Sequence, residues 1–570
     1  MPKIRETARV ILALLLIFVP LNAGEPEMTV REEDGVLWAG EAWSTRLGDL
    51  RLAFFTGSPE EIGAQMYHLV VEPEFDEMMG CFTFIQEQGL SGGFFERTFK
   101  NFYANYKFIP AFKRFISKEY LRELEGFARA TGDPRPGRLV NELLMSNAWQ
   151  DVGLVYGGCS FFAAWGEATA GGEMIVGRNL DYAGLGRLAE YQSVNFYQPE
   201  TGYQFVTVNY PSMVGIMHGM NEKGVVIAKA YSVAVPEEAT VDGVPFTIML
   251  RQALQYGGSI DEVIEIIKNT PRTVGLNILV ADADEAVVLE VSAHRMTVRR
   301  EEDFIYGANR FLSPYLQENQ QAGWMSSAFR ESRFERLKQV FWGELDTEQA
   351  VTVLRDKGEF AGGCPSFMPS IQNQSTISSM VFNPDRLEIW VSAPGGFLTT
   401  DQSFTGISAG ELWRTGQPPI PIGVIPPTEH TGEIKDWQQV MTAAGSASDQ
   451  QKKELLTPVM KRYPTAGYHL FLLGMVHLRS GEIRAGLEFL DLVIRTGLPD
   501  PYYLLSAHAW LGTGYDTLGQ RERALAHYRT GLKIKLPEMV DPTLLQICRV
   551  GLEHPLKLDE NGRVSRAADR

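Results

Sequence analysis

A chain of 570 residues is too long for one hydrophobic core and points to roughly three or four domains. Its net charge of −17 argues against a nucleic-acid or anionic-membrane partner, because either needs a basic face. Four cysteines (Cys81, Cys159, Cys364 and Cys548) with no CxxC pair exclude a disulfide framework.

Residues 1–24 read as a signal peptide. Lys3, Arg5 and Arg9 form a basic start, Val10 to Val19 is apolar, and small residues allow a cut after Ala23 or Gly24. The run is short for a membrane span, which needs about 20 apolar residues, and export is the expectation, to a periplasm or the exterior. Residues 25–158 read as a mainly helical segment. Ser58-Pro59-Glu60-Glu61 starts one helix, with Ser58 as cap. Tyr120–Ala128 and Leu139–Trp149 carry helical spacing.

From Cys159 the period changes. Ser160–Trp165 and Met174–Val176 read as a hairpin turning at Ala170-Gly171-Gly172. Strands follow at Ser193–Tyr197, Phe205–Asn209, Gly215–His218, Val225–Ala230, Leu276–Ala281 and Ala286–Val291. Helices are expected at Phe246–Tyr256, Ile260–Lys268 and Ser327–Phe341, and a late hairpin at Thr376–Asn383 and Arg386–Ser392. Hairpins with helices between them predict an α+β catalytic domain over residues 159–413.

Five prolines between Pro418 and Pro427 mark a linker over 414–434. Residues 435–570 read as helical. Leu473-Gly474 and Gly481 recur 38 residues later as Leu511-Gly512 and Gly519. The second copy runs Trp510-Leu511-Gly512-Thr513-Gly514-Tyr515 and then Ala524 and Tyr528. It matches a tetratricopeptide (TPR) repeat with Leu511 and Gly512 one position early. Such a region suits a protein partner, and an unrelated helical bundle is the alternative. Four extra residues against the usual period fall at Thr496–Pro501.

The chemistry concentrates at Gly157-Gly158-Cys159-Ser160-Phe161, followed by Gly177-Arg178-Asn179-Leu180-Asp181. A turn centred near Gly171 sets Cys159 beside Asp181, across a strand spacing of about 4.8 Å. Arg178 on the same strand can lower the thiol pKa from about 8.5. If the Gly158–Cys159 bond is cut, the thiol is a nucleophile and the new α-amine, with a pKa of about 7.7–8.0, is its base. Gly157 and Gly158 allow the backbone distortion that such an attack needs. Arg178 and Asp181 can equally form an ordinary ion pair. Cys364 shares the Gly-Gly-Cys preface, but Pro365 follows it and no hairpin bearing Arg and Asp returns to it. Cys81 and Cys548 read as buried small hydrophobes. No HExxH, clustered Cys/His or phosphate-loop pattern calls for a metal or cofactor.

Cys159-Ser160-Phe161-Phe162-Ala163-Ala164-Trp165-Gly166 with Gly177-Arg178-Asn179-Leu180-Asp181 resembles the peptidase C45 family. These are autoproteolytic acyltransferases and hydrolases, isopenicillin N acyltransferase-like, within the N-terminal nucleophile hydrolases. The resemblance covers about residues 50–400 and includes Gly219-Met220-Asn221-Glu222-Lys223-Gly224 and Asn309-Arg310-Phe311, where the family carries histidine in place of Arg310. It implies a four-layer αββα sandwich, no cofactor, and a small-molecule N-acyl amide as substrate, by hydrolysis or acyl transfer. It implies Cys159 as nucleophile and base, with Arg178 and Asp181 holding thiol and amine. It further implies Tyr231 N–H and the Asn277 side chain as oxyanion donors, and Arg333 as a site arginine, with Arg330 a turn away as the alternative. Cleavage of the exported chain then leaves 134 residues (25–158) and 412 residues (159–570). The rival is a binding protein whose TPR-like region does the work above an inactive hydrolase-like domain.

Overall fold

The computed structural model describes residues 28–75, 104–153, 157–182, 186–321, 325–357, 370–373, 375–394, 399–428, 448–462, 467–496, 501–535, 543–559 and 563–566. The expected signal peptide, Cys81, Cys364, most of the proline-rich linker beyond residue 428 and the four-residue repeat insertion at 497–500 lie outside these residues.

The first correction comes at once. The segment before Cys159 opens not with helix but with four strands: β1 (Arg31–Glu33), β2 (Val36–Ala39), β3 (Ala42–Leu47) and β4 (Leu50–Gly57). Burial explains them. In β3 and β4 most side chains are enclosed, so the strands read as apolar runs without a clean alternation. Helices follow: α1 (Pro59–Met66), α2 (Lys118–Ala130) and α3 (Pro136–Asn147). Ser58 caps α1 in a complete capping box with Glu61, as the sequence signalled.

Next come β5 (Gly157–Ala164), β6 (Ile175–Tyr182), β7 (Ser193–Pro199), β8 (Phe205–Asn209), β9 (His218–Asn221) and β10 (Val226–Tyr231). Helices α4 (Phe246–Tyr256) and α5 (Ile260–Asn269) lead into β11 (Leu276–Ala281), β12 (Ala286–Val291), β13 (Met296–Arg300) and β14 (Phe304–Gly307). Then follow α6 (Met325–Phe341), α7 (Thr347–Leu354), β15 (Thr376–Asn383), β16 (Glu388–Ser392), β17 (Phe404–Ser408) and β18 (Gly423–Ile425).

Two large sheets result. One has the order β1-β2-β3-β4-β7-β8-β9-β10-β11-β12-β13, antiparallel except where β4 runs parallel to β7. The other has the order β14-β5-β6-β15-β16-β17-β18. β5 faces β10 and β11 across the gap, α4 and α5 cover the first sheet, and α6 and α7 cover the second. The architecture is an α+β, four-layer αββα sandwich. β1–β4 are four of the first sheet's eleven strands, so the segment before Cys159 is built into the sandwich rather than appended to it. β18 likewise extends the second sheet beyond the expected domain end at residue 413.

The chain after residue 448 is helical: α8 (Asp449–Arg462), α9 (Gly467–Arg479), α10 (Ile483–Thr496), α11 (Pro501–Thr517), α12 (Arg521–Gly531) and α13 (Thr543–Glu553). The two copies of the 38-residue repeat are the pairs α9–α10 and α11–α12. Each pair turns at a glycine with positive φ, Gly481 at 76° and Gly519 at 73°. None of the described helices is long and apolar enough to cross a membrane.

One helix crossing depends on two glycines. A Cβ on Gly63 of α1 would lie 1.9 Å from the Glu123 carbonyl oxygen, and one on Gly126 of α2 would lie 2.1 Å from that of Glu60. Both obstacles are backbone, which cannot swing aside. Gly126→Ala is therefore expected to cost about 3 kcal/mol, the upper range of overpacking, read as a lower urea midpoint of the sandwich domain.

Candidate active site

The β5–β6 hairpin carries the site, and its register differs from the expected one. Ser160 pairs with Asn179, three residues short of the expected position, and Cys159 pairs with Leu180. The connection from Trp165 to Met174 begins with a 3-10 turn at Gly166–Ala168, so its centre lies before Gly171. The consequence is a change of face. Cys159, Phe161 and Leu180 point into the space between the sheets, and Phe162 and Ala164 point to the α6–α7 layer. Arg178 opposite Phe161 shares the Cys159 face. Asp181 opposite Gly158 lies on the other face, away from the thiol.

Arg178 is fully buried and crosses from the second sheet to the first. Its Nε donates to His218 Nδ1 on β9 at 2.9 Å, and Nη1 donates to the Lys229 carbonyl on β10 at 2.6 Å. Nη2 lies 3.6 Å from Cys159 Sγ. The expected surface ion pair of Arg178 with Asp181 is thus not formed. Burial pushes the Cys159 thiol up, but Lys229 and then Arg178 outweigh it, and the thiol stands below its ordinary pKa. Burial first, and Arg178 second, holds His218 well below its ordinary value, so it is neutral and accepts through Nδ1.

Asp181 guards the peptide bond rather than the thiol. A Cβ placed on Gly158 would lie 3.2 Å from Asp181 Cβ, which explains a glycine there. Asn373 Nδ2 donates to Asp181 Oδ2 at 2.9 Å and Thr376 Oγ1 to Oδ1 at 2.7 Å. Neither partner was legible, because both lie almost 200 residues away in sequence.

The backbone of Cys159 is gripped by two further side chains. Its N–H donates to Asn309 Oδ1 at 2.9 Å, and its carbonyl accepts from Arg330 Nη1. Arg330 Nη2 donates to the same Asn309 oxygen at 2.7 Å, and Nη1 lies 3.8 Å from Asp181 Oδ2. Asn309 Nδ2 donates to the Tyr231 carbonyl at 2.7 Å, which ties the end of β10 to the site.

Two expected residues stand elsewhere. Arg333 is bound by Asp356, with Nε 2.9 Å from Oδ2, and the arginine that contacts Cys159 is Arg330, one turn earlier on α6. An arginine every three residues leaves the facing turn undecided until α6 is docked. Asn277 Nδ2 donates to the carbonyls of Ala308 at 2.8 Å and Arg310 at 2.6 Å. Both amide hydrogens are thereby committed, and Asn277 holds in place the loop that presents Asn309. The signal for Asn309 was in the Asn309-Arg310-Phe311 segment itself. Arg310, where the resembled family has histidine, pairs with Glu331 beside Arg330. The Asn221-Glu222-Lys223-Gly224 segment is structural: Asn221 Oδ1 accepts from the N–H groups of Lys223 and Val225, and its amide joins the C-terminal end of α4.

Residues 168–396 match the family model described as acyl-coenzyme A:6-aminopenicillanic acid acyl-transferase. Within the matched segment lie Arg178, Asp181, Asn309 and Arg330, whereas Cys159 stands nine residues before it.

The chain is 31% identical over 186 residues to protein dcd1B of Dictyostelium discoideum, covering 32% of this chain and 36% of that protein. It is 22% identical over 346 residues to an uncharacterised protein of Archaeoglobus fulgidus, covering 50% and 57% respectively. It thus spans between about a third and three fifths of the length of these relatives. Among solved structures, the Caenorhabditis elegans ortholog of N-acylethanolamine-hydrolyzing acid amidase is 18% identical, with a TM-score of 0.30 and coverage of 40% of this chain and 93% of that one. A mutant of conjugated bile acid hydrolase from Clostridium perfringens is 15% identical, with a TM-score of 0.31 and coverage of 48% and 99%.

A cavity opens between Trp149, Tyr182, Tyr210, Met213, Met217 and Phe246. Tyr182 follows Asp181 and Met217 precedes His218, so the cavity reaches the thiol's surroundings. Arg178→Met should destabilise the sandwich by about 3 kcal/mol, because the His218 nitrogen and the Lys229 oxygen lose their donor at about 1–3 kcal/mol each. Urea unfolding measures it.

Proposed function

We propose that this protein is a self-processing N-terminal-cysteine amidohydrolase or acyltransferase acting on a linear, non-peptide N-acyl amide. One observation carries the reading. A buried thiol faces an arginine at 3.6 Å, while the backbone of the same residue is clamped by Asn309 and Arg330. A structural cysteine needs none of these partners.

In the uncut chain the Cys159 sulfur attacks the Gly158 carbonyl carbon. The C–N bond to Cys159 breaks, its nitrogen takes a proton, and water resolves the resulting thioester. The freed amine inherits the Asn309 contact and lies on the Asp181 side of the strand. It then serves as base while the thiol attacks a substrate amide. Lys229 and then Arg178 lower the thiol pKa against the effect of burial. The family resemblance assigns the oxyanion contacts to Tyr231 N–H and the Asn277 side chain, and Asn309, which donates to the Tyr231 carbonyl, ties that end of β10 to Cys159. The apolar walls of the adjoining cavity suit the acyl part of a small-molecule substrate. Export is part of the proposal, on the strength of residues 1–24. The TPR-like pairs are assigned to a protein partner.

Intact mass spectrometry of the purified chain tests the reading: two fragments meeting at Gly158/Cys159 are expected, and a fully active uncut chain overturns it. Cys159→Ala should abolish both self-cleavage and amide hydrolysis. Arg330→Lys replaces a two-pronged donor by a single point of charge and should slow cleavage about 10²-fold. Arg333→Lys disturbs only a partly exposed ion pair and should change the rate by less than about fivefold.

A further inference from the structure

The segment before Cys159 builds one wall of the cavity. Asn147 ends α3, Trp149 and Gln150 follow it, and all three line the space together with Tyr182, Tyr210 and Phe246. Most polar side chains of the lining are bonded within the protein. Asn147 Nδ2 donates to the carbonyls of Leu143 at 2.8 Å and Ser212 at 3.3 Å, and its Oδ1 accepts from the Gly215 N–H at 2.9 Å. Ser146 Oγ donates to the Leu143 carbonyl and Thr247 Oγ1 to the Asn147 carbonyl, each at 2.7 Å. Two lining residues differ. Gln150 Nε2 and Ser212 Oγ have no hydrogen-bond partner among the described residues. Both side chains are enclosed, Gln150 at 3% and Ser212 at 2% exposure.

The Gln150 amide has a defined orientation. Its Oε1 accepts from Lys229 Nζ at 2.8 Å, and an ammonium can only donate, so the other end is the donor. Nε2 therefore lies away from Lys229 with its N–H bonds unused. The ammonium itself sits behind the cavity wall, 4.9 Å from the Phe246 ring centroid and 6.0 Å from that of Tyr182. Among the described residues no carboxylate forms an ion pair with it. Asp151, next in the chain after Gln150, accepts instead from the Phe246 N–H at 3.0 Å and from Thr273 Oγ1. A cation on the oxygen of an amide strengthens its N–H as a donor. The same cation opposes a positively charged ligand, despite the aromatic walls. Ser212 adds a sign of its own. Its φ of 66° is a left-handed conformation that a side chain disfavours, and such strain clusters at ligand sites.

We propose that Gln150 and Ser212 are specificity-determining residues, and that the group the cavity admits carries an oxygen acceptor, a carboxylate or a carbonyl, for Gln150 Nε2 and Ser212 Oγ. The inference rests on the amidohydrolase reading above and names its substrate class: an N-acyl amide whose acyl chain bears a second oxygen function. A plain alkyl chain would fill the apolar walls and leave both enclosed groups unpaired. A site built to hydrogen-bond a ligand oxygen rejects the analogue that lacks it. Because Gln150 stands before Cys159, the selection is made by the fragment that does not carry the thiol.

Calorimetric titration of the full chain tests this, and it needs neither self-cleavage nor turnover. The probes are the monoamides of straight-chain dicarboxylic acids of about four to eight carbons, their methyl esters, and the alkanamides of the same chain length. At one length the acid or the ester should bind about tenfold or more tightly than the alkanamide, the effect of pairing one buried donor. The acid leading identifies a carboxylate, and the ester leading identifies a carbonyl. Gln150→Glu keeps an oxygen toward Lys229 and puts a second oxygen where the donor stood, so the advantage should disappear. Ser212→Ala should reduce it about threefold or more. Equal binding of the three series at every length, no binding of any probe, or an advantage that Gln150→Glu leaves intact overturns the proposal. If Gln150→Glu loses its cooperative melting transition, Ser212→Ala decides, and an advantage it leaves intact overturns the proposal. A chain that shows the expected preference but neither cleaves itself nor hydrolyses an amide defeats the amidohydrolase reading and leaves the preference of the cavity standing.

Discussion

The guanidinium of Arg178 is the constraint on which the rest of the site depends. It lies between two sheets in a space with no water to solvate it, and a buried cation of this kind is tolerated only when its donors are met. They are met by His218 on β9, by the Lys229 carbonyl on β10 and by the Cys159 sulfur on β5. One side chain therefore ties the two sheets together, sets the tautomer of a buried histidine and helps lower the pKa of the Cys159 thiol. No aliphatic residue could do all three.

Around this centre the work divides by face. The inner face of β5 and β6 carries the thiol and its cations. The outer face carries Asp181, Asn179 and their partners from α7, β15 and the segment before it. The Gly158–Cys159 bond lies where the two faces meet, because Gly158 and Cys159 are consecutive and point oppositely. A carboxylate can thus stand beside the nitrogen without lying next to the thiolate, whose ionisation it would oppose. Arg330 from the outer layer reaches the Cys159 carbonyl and closes the arrangement.

The strand segment before Cys159 has its own consequence. Because β1–β4 pair into the first sheet through the parallel contact of β4 with β7, cutting the chain at Gly158 would not separate the two parts. They would stay joined by backbone hydrogen bonds and a shared core. The proposed cleavage would thus change one terminus and leave the fold in place.

Cys159, Arg178 and Asp181 were legible because they sit on one hairpin, and the spacing of a hairpin is written locally. Their faces were not, since a 3-10 turn in the connection moved the register by three residues, an odd number, and reversed which side chains share a side. The helix boundaries of α1, α4 and α5 followed from caps and periodicity. The strands β1–β4 did not: β1 and β2 are short, and β3 and β4 bury most of their side chains and so lack the alternation that identifies a strand. That Asn309 and Arg330 contact Cys159, whereas Asn277 and Arg333 bond elsewhere, was decided only by packing. Each choice depends on which turn of α6 or which loop residue meets β5 across more than a hundred residues of chain, and short-range sequence pattern carries no information about that meeting.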